Sequence, residues 1–389
     1  MPNVTVLGGG GLVYTLPYTS SVTAAIAQRF ANTINSDIQN STLTANTYSG
    51  GSFATTGSQE YVIAGSGTVN GGSAGNVQAI AITAPGLTLT ESGVTMQTVL
   101  SGAGGLNLNA SATGPTGQGT VVAGGTGNVI SVSGAYWSIT SDGSNISVGG
   151  GGSAGIESNG NDTISAGSGA DTISVVGGAS DVVFGGSAMI HFYAGSGSQT
   201  VNGMSGSLTV TGGTGGGIYA GGTAGNNLIL AGNGPTTIFG GGNGDQLFAN
   251  GSSNQEIAAG SGNETLAGGL GTGNNVFIGS SDSSSSDIMG GGAGNDTLYA
   301  GAGSDTMIGG AGSDLFAFFN GSAGGTDQIA DYNAGQGDLV GLFGYGSNEV
   351  AQALASQSTS GGNTTITLSD NTTITFSGVS HLTAANFTT

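Results

Sequence analysis

Three consecutive nine-residue units constrain the fold of this chain more than any other feature of its sequence. They read GGAGNDTLY, AGAGSDTMI and GGAGSDLFA and run without a break from Gly291 to Ala317. Glycine permits the positive backbone angles of a tight turn, and the residues after each aspartate can form one short strand. The large apolar residue at position eight then points inward. Two units make one flat coil, and successive coils stack into a solenoid with Leu298, Met307 and Phe316 inside.

The aspartates at position six of these units have almost no bases to balance them. The chain of 389 residues carries 21 acids, and Arg29 is its single base, so the formal net charge is -20. Because turns two units apart stack, we expect Asp287 to lie near Asp305 and Asp296 near Asp314. Two carboxylates together with glycine carbonyls form an all-oxygen cage that suits a hard divalent cation. Without the ion, the same stacking would press like charges together.

A second acidic cluster stands further towards the N-terminus, in SNGNDTIS and AGSGADTIS. It contributes Asp162 and Asp171, followed by Asp181. The stretch between the two clusters keeps nine-residue units with inward apolar positions, but its acids are sporadic, as at Asp245 and Glu264. We therefore predict one solenoid over residues 156–317, metallated at its two ends and largely metal-free between them. The inward residues of this middle stretch are Val201, Val210, Tyr219 and Ile238, and its sixth positions are Gln199, Leu208, Gly217 and Thr236.

These units resemble the repeats-in-toxin family of calcium-binding proteins that bacteria export by type I secretion. The resemblance implies an all-β fold: a right-handed parallel β-roll, or β-solenoid, with calcium in its glycine-rich turns, a short N-terminal helix and a C-terminal β cap. It also implies that residues 318–389 form the cap and an uncleaved export signal. In the cap, calcium binding and simple capping remain equally open. The implied metal ligands are Asp287, Asp296, Asp305, Asp314, Asp162, Asp171 and Asp181, with Asp245, Asp327, Asp331 and Asp338 as further candidates.

Two local patterns predict elements outside the repeats. The first 50 residues contain TSSVTAAIAQRFANTINSDIQN, which predicts a helix with Ser20 or Ser21 as its N-cap. We expect an apolar stripe of Val22, Ile26, Phe30, Ile34 and Ile38, which either plugs the first coil or contacts another subunit through a face that includes Arg29. Near the C-terminus, TTITLSDNTTITFSGV predicts a hairpin that turns at Asp370–Asn371 and covers the open end of the roll. Residues 51–155 alternate short β-rich runs with glycine turns, and a solenoid extension or a separate β-sandwich fits them equally well.

Several classes of activity lack the residues they need. The two histidines, His191 and His381, are isolated, so no HExxH zinc protease motif is present. GGSAG occurs twice, but neither copy lies in the strand–turn–helix setting of a hydrolase nucleophile. Glu60 and Glu91 are the available carboxylate pair for a glycosidase, and nothing around them marks such a role. We therefore predict that the chain is not an enzyme.

The charge and hydropathy patterns narrow the partners and the location. Phosphate contacts need lysine and arginine, so nucleic acid is excluded. No run of eighteen apolar residues exists, so we expect no membrane insertion. The absence of cysteine fits an extracellular chain, and the first residues lack the pattern of a cleaved signal peptide. We predict a secreted, calcium-dependent structural protein that assembles with itself as a surface layer, filament or biofilm matrix. The alternative is an adhesin on a calcium-stiffened stalk, with cell-surface or matrix glycans as partners.

Overall fold

The computed structural model describes residues 1–48, 59–63, 65–73, 77–112 and 116–389. It divides into two compact units, unit 1 (Met1–Val201) and unit 2 (Asn202–Thr389). Both units are built almost entirely from short β-strands that pair in parallel along the chain. The predicted all-β parallel solenoid is confirmed in each of them.

Unit 1 contains stacked coils, and each coil contributes one strand to each of two parallel sheets. Strands β4 to β18 with even numbers form one sheet, which β3 extends by pairing with β4. Strands β5 to β17 with odd numbers form the other sheet. The strands are β1 (Asn3–Leu7), β2 (Val13–Pro17), β3 (Thr44–Tyr48), β4 (Gln59–Ile63), β5 (Gly67–Ser73), β6 (Val77–Ile82), β7 (Leu87–Val94), β8 (Met96–Ser101), β9 (Asn107–Ala112), β10 (Gln118–Ala123), β11 (Asn128–Ser133), β12 (Tyr136–Ser141), β13 (Ser144–Gly149), β14 (Ser153–Ser158), β15 (Thr163–Ser165), β16 (Asp171–Val175), β17 (Val182–Phe184), β18 (Ile190–Tyr193) and β19 (Gln199–Asn202), which ends one residue beyond the unit.

The described parts of residues 59–155 therefore belong to the solenoid rather than to a separate sandwich. Their strands alternate inward apolar and outward polar residues, which is the period of a strand with one buried face. In the odd-numbered sheet, one inward apolar residue of each strand is the register partner of an inward apolar residue on the next strand. All of these residues are buried. This ladder needs no GGxGxD motif, since side chains alone fill the interior. Its members are Val69, Leu89, Leu108, Ile130, Ile146, Ile164 and Val183.

The predicted helix is present as α1 (Ser21–Gln39), and the Ser20 hydroxyl caps it by accepting bonds from the backbone N–H groups of Val22 and Thr23. The predicted stripe is confirmed in part: Ile34 is buried, and Ile26, Phe30 and Ile38 are partly buried and pack against the same apolar cluster, whereas Val22 is 45% exposed. The centre of the buried face is made by small residues, among them Ala24 and Ala27. Small side chains there let the helix axis approach the sheet closely.

Helix α1 packs on the outer face of the even-numbered sheet, so the predicted plug in the first coil is wrong. The antiparallel hairpin of β1 and β2 joins it in one apolar cluster with Val62, Leu100 and Val122 of the sheet. Asp142, on the turn after β12, accepts hydrogen bonds from the hydroxyls of Thr19 and Thr23 and so pins the start of the helix. Neither α1 nor any other helix in the described ranges has the length and apolarity needed to cross a membrane.

Unit 2 repeats the same architecture with shorter strands. Even-numbered strands β20 to β32 form one parallel sheet and odd-numbered strands β21 to β33 the other. The predicted inward residues Leu298, Met307 and Phe316 are fully buried, as are Val210, Tyr219 and Ile238. The strands are β20 (Leu208–Thr211), β21 (Gly217–Ala220), β22 (Leu228–Leu230), β23 (Thr236–Phe239), β24 (Gln246–Phe248), β25 (Gln255–Ala258), β26 (Thr265–Ala267), β27 (Val276–Ile278), β28 (Ile288–Ala293), β29 (Thr297–Tyr299), β30 (Thr306–Ala311), β31 (Leu315–Phe319), β32 (Thr326–Ile329), β33 (Leu339–Phe343), β34 (Ser358–Ser360), β35 (Asn363–Thr367), β36 (Thr373–Phe376) and β37 (Phe387–Thr388).

The predicted C-terminal hairpin is present and covers the last coil of unit 2. Strands β35 and β36 pair antiparallel around Asp370–Asn371, and Asn371 adopts a positive φ of 72° in this turn. Strand β36 then pairs in parallel with β32, and β37 pairs with β33. Both sheet edges at this end are thereby occupied, which removes backbone groups that would otherwise invite further strands. Helix α2 (Glu349–Ala355) precedes β34.

Candidate metal centres

The position-six side chains form ladders that run along each sheet. In a ladder, one side-chain oxygen accepts a hydrogen bond from the backbone N–H of the position-six residue one coil earlier. Asp296 N–H donates to Asp314 Oδ1 at 2.8 Å, and Asp287 N–H donates to Asp305 Oδ1 at 3.0 Å. The predicted pairing of these aspartates is therefore confirmed. Within the described ranges, nowhere do three or more acidic or histidine side chains converge on one point that could hold a metal, so carboxylates meet along the ladders instead.

The odd-numbered ladder of unit 2 leaves one oxygen of each of its two central aspartates without a partner. Asp296 and Asp314 are 1% and 2% exposed, and Oδ2 of each is buried with no hydrogen bond. A β-carbon placed on Gly291 would collide with Asp296 Oδ2 and with the carbonyl oxygen of Gly309. Only a glycine leaves this space between a carboxylate and a carbonyl. An all-oxygen, negatively charged and partly unsatisfied cradle fits calcium.

The even-numbered ladder of unit 2 differs because turn N–H groups already bond its second oxygens. Ser280 N–H donates to Asp287 Oδ2 and Gly301 N–H to Asp305 Oδ2, each at 2.8 Å. Glu264 belongs to the same ladder, since its N–H donates to Asp287 Oδ1 at 2.9 Å and its Oε1 has no partner. The sequence prediction left Glu264 out of the ligand set, although its place one coil before Asp287 was a usable indication.

Unit 1 contains one ladder pair and one separate aspartate. Asp162 N–H donates to Asp181 Oδ1 at 2.8 Å, and Oδ2 of both residues is buried without a partner. Asp171 lies on the other sheet, where its Oδ1 accepts from Ala154 N–H at 2.6 Å and its register neighbour is Ile190. Asp162 and Asp181 are thus brought together as predicted. Asp171 has no acid beside it in its own ladder and depends on backbone groups.

The remaining predicted ligands fall into two groups. Both oxygens of Asp245, Asp331 and Asp338 accept hydrogen bonds from backbone N–H groups or an amide, so these carboxylates are satisfied without an ion. Asp327 instead accepts from Asp305 N–H at 2.9 Å and keeps Oδ2 unpartnered. Of the cap residues, Asp327 therefore has the better ligand geometry, and its role stays a prediction.

Burial raises the pKa of most ladder carboxyls. The pKa of Asp296 rises to about 6, that of Asp181 to about 6 and that of Asp327 to about 8, in each case mainly because the carboxyl is removed from water. Neighbouring aspartates raise these values further, and backbone N–H donors lower them. The single base, Arg29, is exposed on α1. At neutral pH Asp327, with a pKa of about 8, is mostly protonated without a cation, and a bound cation would favour the ionised form of each of these carboxyls.

Two further buried acids lie outside the ladders. Glu60 is fully buried on the same face of β4 as Val62, and burial raises its pKa to about 8. Glu91 shares the inward face of β7 with Leu89, and burial raises its pKa to about 7, an effect that Gln97 partly offsets. The sequence did not indicate these raised values. One carboxyl lies on the outer face of its sheet and the other inside the coil, so they do not form the pair that a glycosidase requires.

Comparisons with known proteins agree with the repeat geometry. A family model described as the RTX calcium-binding nonapeptide repeat, in four copies, matches residues 158–187, 221–256 and 282–316. No curated protein matches the chain. Among solved structures, a match is found to the extracellular lipase LipA from Serratia marcescens, with 14% identity and a TM-score of 0.18. That alignment covers 57% of this chain and only 45% of the lipase chain. RTX nonapeptide repeats are calcium-binding, so calcium is the cation that these repeats indicate, and the assignment of ladder residues as its ligands stays a prediction.

Proposed function

We propose that this chain, which carries the calcium-binding repeats of the repeats-in-toxin family, is a secreted structural protein that assembles with itself outside the cell. The repeats are typical of secreted extracellular proteins. The assembled form would be a surface layer, a filament or a biofilm matrix, and type I secretion would be the export route. The observation that carries the proposal is an exposed apolar row on the outer face of unit 2.

The apolar row lies on the odd-numbered sheet. Phe239, Ala258, Ile278 and Tyr299 stand in register on successive strands. Phe319 continues the row on β31, where its ring centroid lies 5.6 Å from that of Tyr299. Phe239 is 45% exposed and Phe319 is 41% exposed, although each sits on a strand whose inner face is already packed. Exposed apolar patches of this kind mark protein–protein contacts.

A second copy of the chain is the occupant that best fits this row. The chain has one base, so it cannot pair its own acids across an interface with lysines or arginines. Most of its carboxylates are buried in the ladders, and the apolar row itself contains no charged residue. Beside the row, Glu256 is an exposed acid on the same outward face of β25, so like-charge repulsion between two copies at this face would come mainly from that residue. The row has one residue per coil, so its spacing is the same in two copies that lie side by side, and their apolar residues can meet.

Calcium would restrict folding and assembly to the outside of the cell. Where calcium is scarce, unneutralised ladder carboxylates oppose stacking of the coils, which would keep the chain open enough for export. Outside the cell, sites of the weak extracellular grade, with dissociation constants of roughly 10⁻⁴–10⁻³ M, would fill. Binding energy then becomes folding energy, and the apolar row forms only on the folded sheet.

An adhesin is the alternative, and one feature favours it. A groove of about 600 Å³ runs beside the apolar row, lined by Glu256, Tyr299 and Phe319 and by several serine hydroxyls. Rings and hydroxyls together suit a glycan, and lateral contact between copies would cover this groove. In neither case do we propose catalysis. His191 and His381 remain isolated, and Glu60 and Glu91 lie in different environments.

Replacing Phe239 and Phe319 with serine is expected to raise the calcium-dependent critical concentration for assembly by roughly tenfold or more, because buried aromatic anchors dominate interfaces. Light scattering against protein concentration at saturating calcium measures this, and circular dichroism shows whether the fold is retained. Ile308→Ser is the matched control, since Ile308 is 38% exposed on the other sheet of the same unit. Equal effects of the control and the double variant would contradict the proposed contact face.

A further inference from the structure

Two coils carry a buried glutamine where the metal-binding units carry aspartate. Gln199 is 0% exposed and Gln255 is 2% exposed, and each begins a strand at position six of its unit. A glutamine provides the same carbonyl-type oxygen as a carboxylate, but its second terminal atom is a donor rather than an acceptor. The contacts of this amide nitrogen show how the turns of these coils are stabilised without a charged side chain.

Adjacent coils of unit 1 allow a direct comparison. Asp181 caps the previous coil through Oδ1, which accepts from Asp162 N–H, and its Oδ2 has no partner. In the next coil, Gln199 Oε1 accepts from Asp181 N–H at 2.9 Å in the same way. Its Nε2 donates to the carbonyl oxygen of Ala179 at 2.6 Å. Where aspartate leaves an unsatisfied anionic oxygen, glutamine places a donor on a turn carbonyl.

Gln255 shares the amide contact of Gln199 in unit 2 but not the ladder bond, since its Oε1 is buried without a hydrogen-bond partner. Its Nε2 donates to the carbonyl oxygens of Gly232 and Gly234, at 3.1 Å and 3.0 Å. These glycines are positions two and four of the preceding unit in the same ladder. Both hydrogens of one amide nitrogen are thus directed at two turn carbonyls. Asp314, in the same ladder, instead has an unpartnered Oδ2 in a glycine cradle.

We propose that the Gln199 and Gln255 amide groups take the place of calcium in their own turns. The NH₂ group satisfies the carbonyls that would otherwise coordinate an ion, and a neutral side chain brings no charge to balance. The turns closed by Gln199 and Gln255 therefore bind no calcium and form without it. The residue at position six thereby sets the number of calcium ions bound per chain. A carboxylate there provides a calcium site, and a glutamine takes the place of one.

Other residues show why glutamine, rather than asparagine, is the closing residue. Asn227 Nδ2 reaches only the Gly222 carbonyl of its own unit and the carboxylate of Asp245 in the next coil, each at 2.8 Å. Its side chain is one methylene too short to span to the preceding turn. Glu264, by contrast, shows that a ladder position accommodates a carboxyl side chain as long as glutamine, with Oε2 accepting from Gly260 N–H at 2.7 Å and Oε1 left without a partner.

The test is the number of calcium ions bound per chain, measured by equilibrium dialysis with metal analysis on the full chain. Gln199→Glu and Gln255→Glu are each expected to add one ion. Gln199→Met, of similar length and without polar atoms, is expected to add none. The count is taken per chain and therefore does not depend on whether copies assemble, so it stands apart from the proposed structural function.

The reciprocal substitution guards against a glutamate variant that fails to fold. Asp314→Gln is expected to remove at least one bound ion while circular dichroism keeps the β-signal of the calcium-loaded chain, because the amide closes the turn. Folded Gln→Glu variants with unchanged calcium counts would overturn the proposal. A folded Asp314→Gln chain that binds as many ions as the original would also overturn it.

Discussion

Replacing Asp296 and Asp314 together with asparagine is expected to abolish the calcium-induced gain of β-structure in unit 2. These carboxylates stack in one ladder, and the second oxygen of each is buried without a partner. Asparagine keeps an oxygen for the ladder bond but removes both negative charges. Since affinity in such sites follows the number of charged ligands, we expect the calcium midpoint to rise by roughly a hundredfold or more.

The measurement is a calcium titration followed by circular dichroism, with the midpoint compared between variants. Asp282→Asn is the control, because Asp282 is partly exposed in a turn and its carboxylate accepts hydrogen bonds only from the backbone N–H and hydroxyl of Ser284. It removes charge without touching a ladder. A midpoint that shifts equally in the control would mean that net charge, not the ladder, governs folding. An unchanged midpoint in the double variant would remove this ladder from the calcium site.

Unit 1 is expected to lose stability as the pH rises, and Glu60→Gln is expected to remove much of that loss. Burial raises the folded-state pKa of Glu60 from 4.5 to about 8. An acid with a raised folded-state pKa retains its proton on folding, so this contribution is complete below the unfolded pKa. It is lost as the pH rises towards the folded pKa. Between these values each pH unit costs about 1.4 kcal/mol.

Urea unfolding followed by tryptophan fluorescence measures this dependence, because Trp137 is the single tryptophan and is buried in unit 1. Calcium is held constant so that the ladders contribute equally to every variant. At pH 8 the Glu60→Gln chain is expected to exceed the original in free energy of unfolding by on the order of 4 kcal/mol. Glu157→Gln, a partly exposed acid of the same unit, should leave the slope unchanged. Identical slopes in the original and in Glu60→Gln would show that this carboxyl is solvated.

The repeat units predicted the solenoid and its carboxylate ladders because spacing and side-chain type act locally. A nine-residue period with glycine turns determines which residues point inward, so the burial of Leu298 and Phe316 followed from position alone. The pairing of Asp296 with Asp314 followed from two units per coil. The C-terminal hairpin could likewise be predicted, because its turn is formed by the consecutive residues Asp370–Asn371.

Features that depend on distant partners could not be predicted in this way. The solenoid over residues 59–155 has no metal motif, so its parallel pairing became visible only when its apolar residues stood in register. The helix was predicted to plug the first coil, but it packs on the outer face of the sheet, and its sequence alone gives no sign of which surface its apolar side contacts. The raised pKa of Glu60 arises from complete burial in the folded chain, which the residues next to it in sequence do not indicate.

The amide contacts illustrate the same limit at the level of a single atom. Sequence reasoning identified Gln199 as a weak calcium ligand at position six, which was sufficient to predict a metal-free turn. It could not show that the amide nitrogen bonds the Ala179 carbonyl, since that residue lies on the preceding coil. The sequence shows which side chain stands at position six, but it does not show which group on another coil that side chain bonds.

The most direct test of the central claim is a calcium titration of chelator-treated protein, with circular dichroism and light scattering recorded on the same sample. Calcium-coupled folding followed by self-assembly predicts that β-structure and ordered particles appear together near millimolar calcium, with electron microscopy showing a regular lattice or filament. A chain that reaches full β-structure in the presence of chelator would contradict calcium-coupled folding. A chain that folds with calcium yet stays monomeric at all concentrations would contradict the assembly and leave the adhesin as the function to pursue.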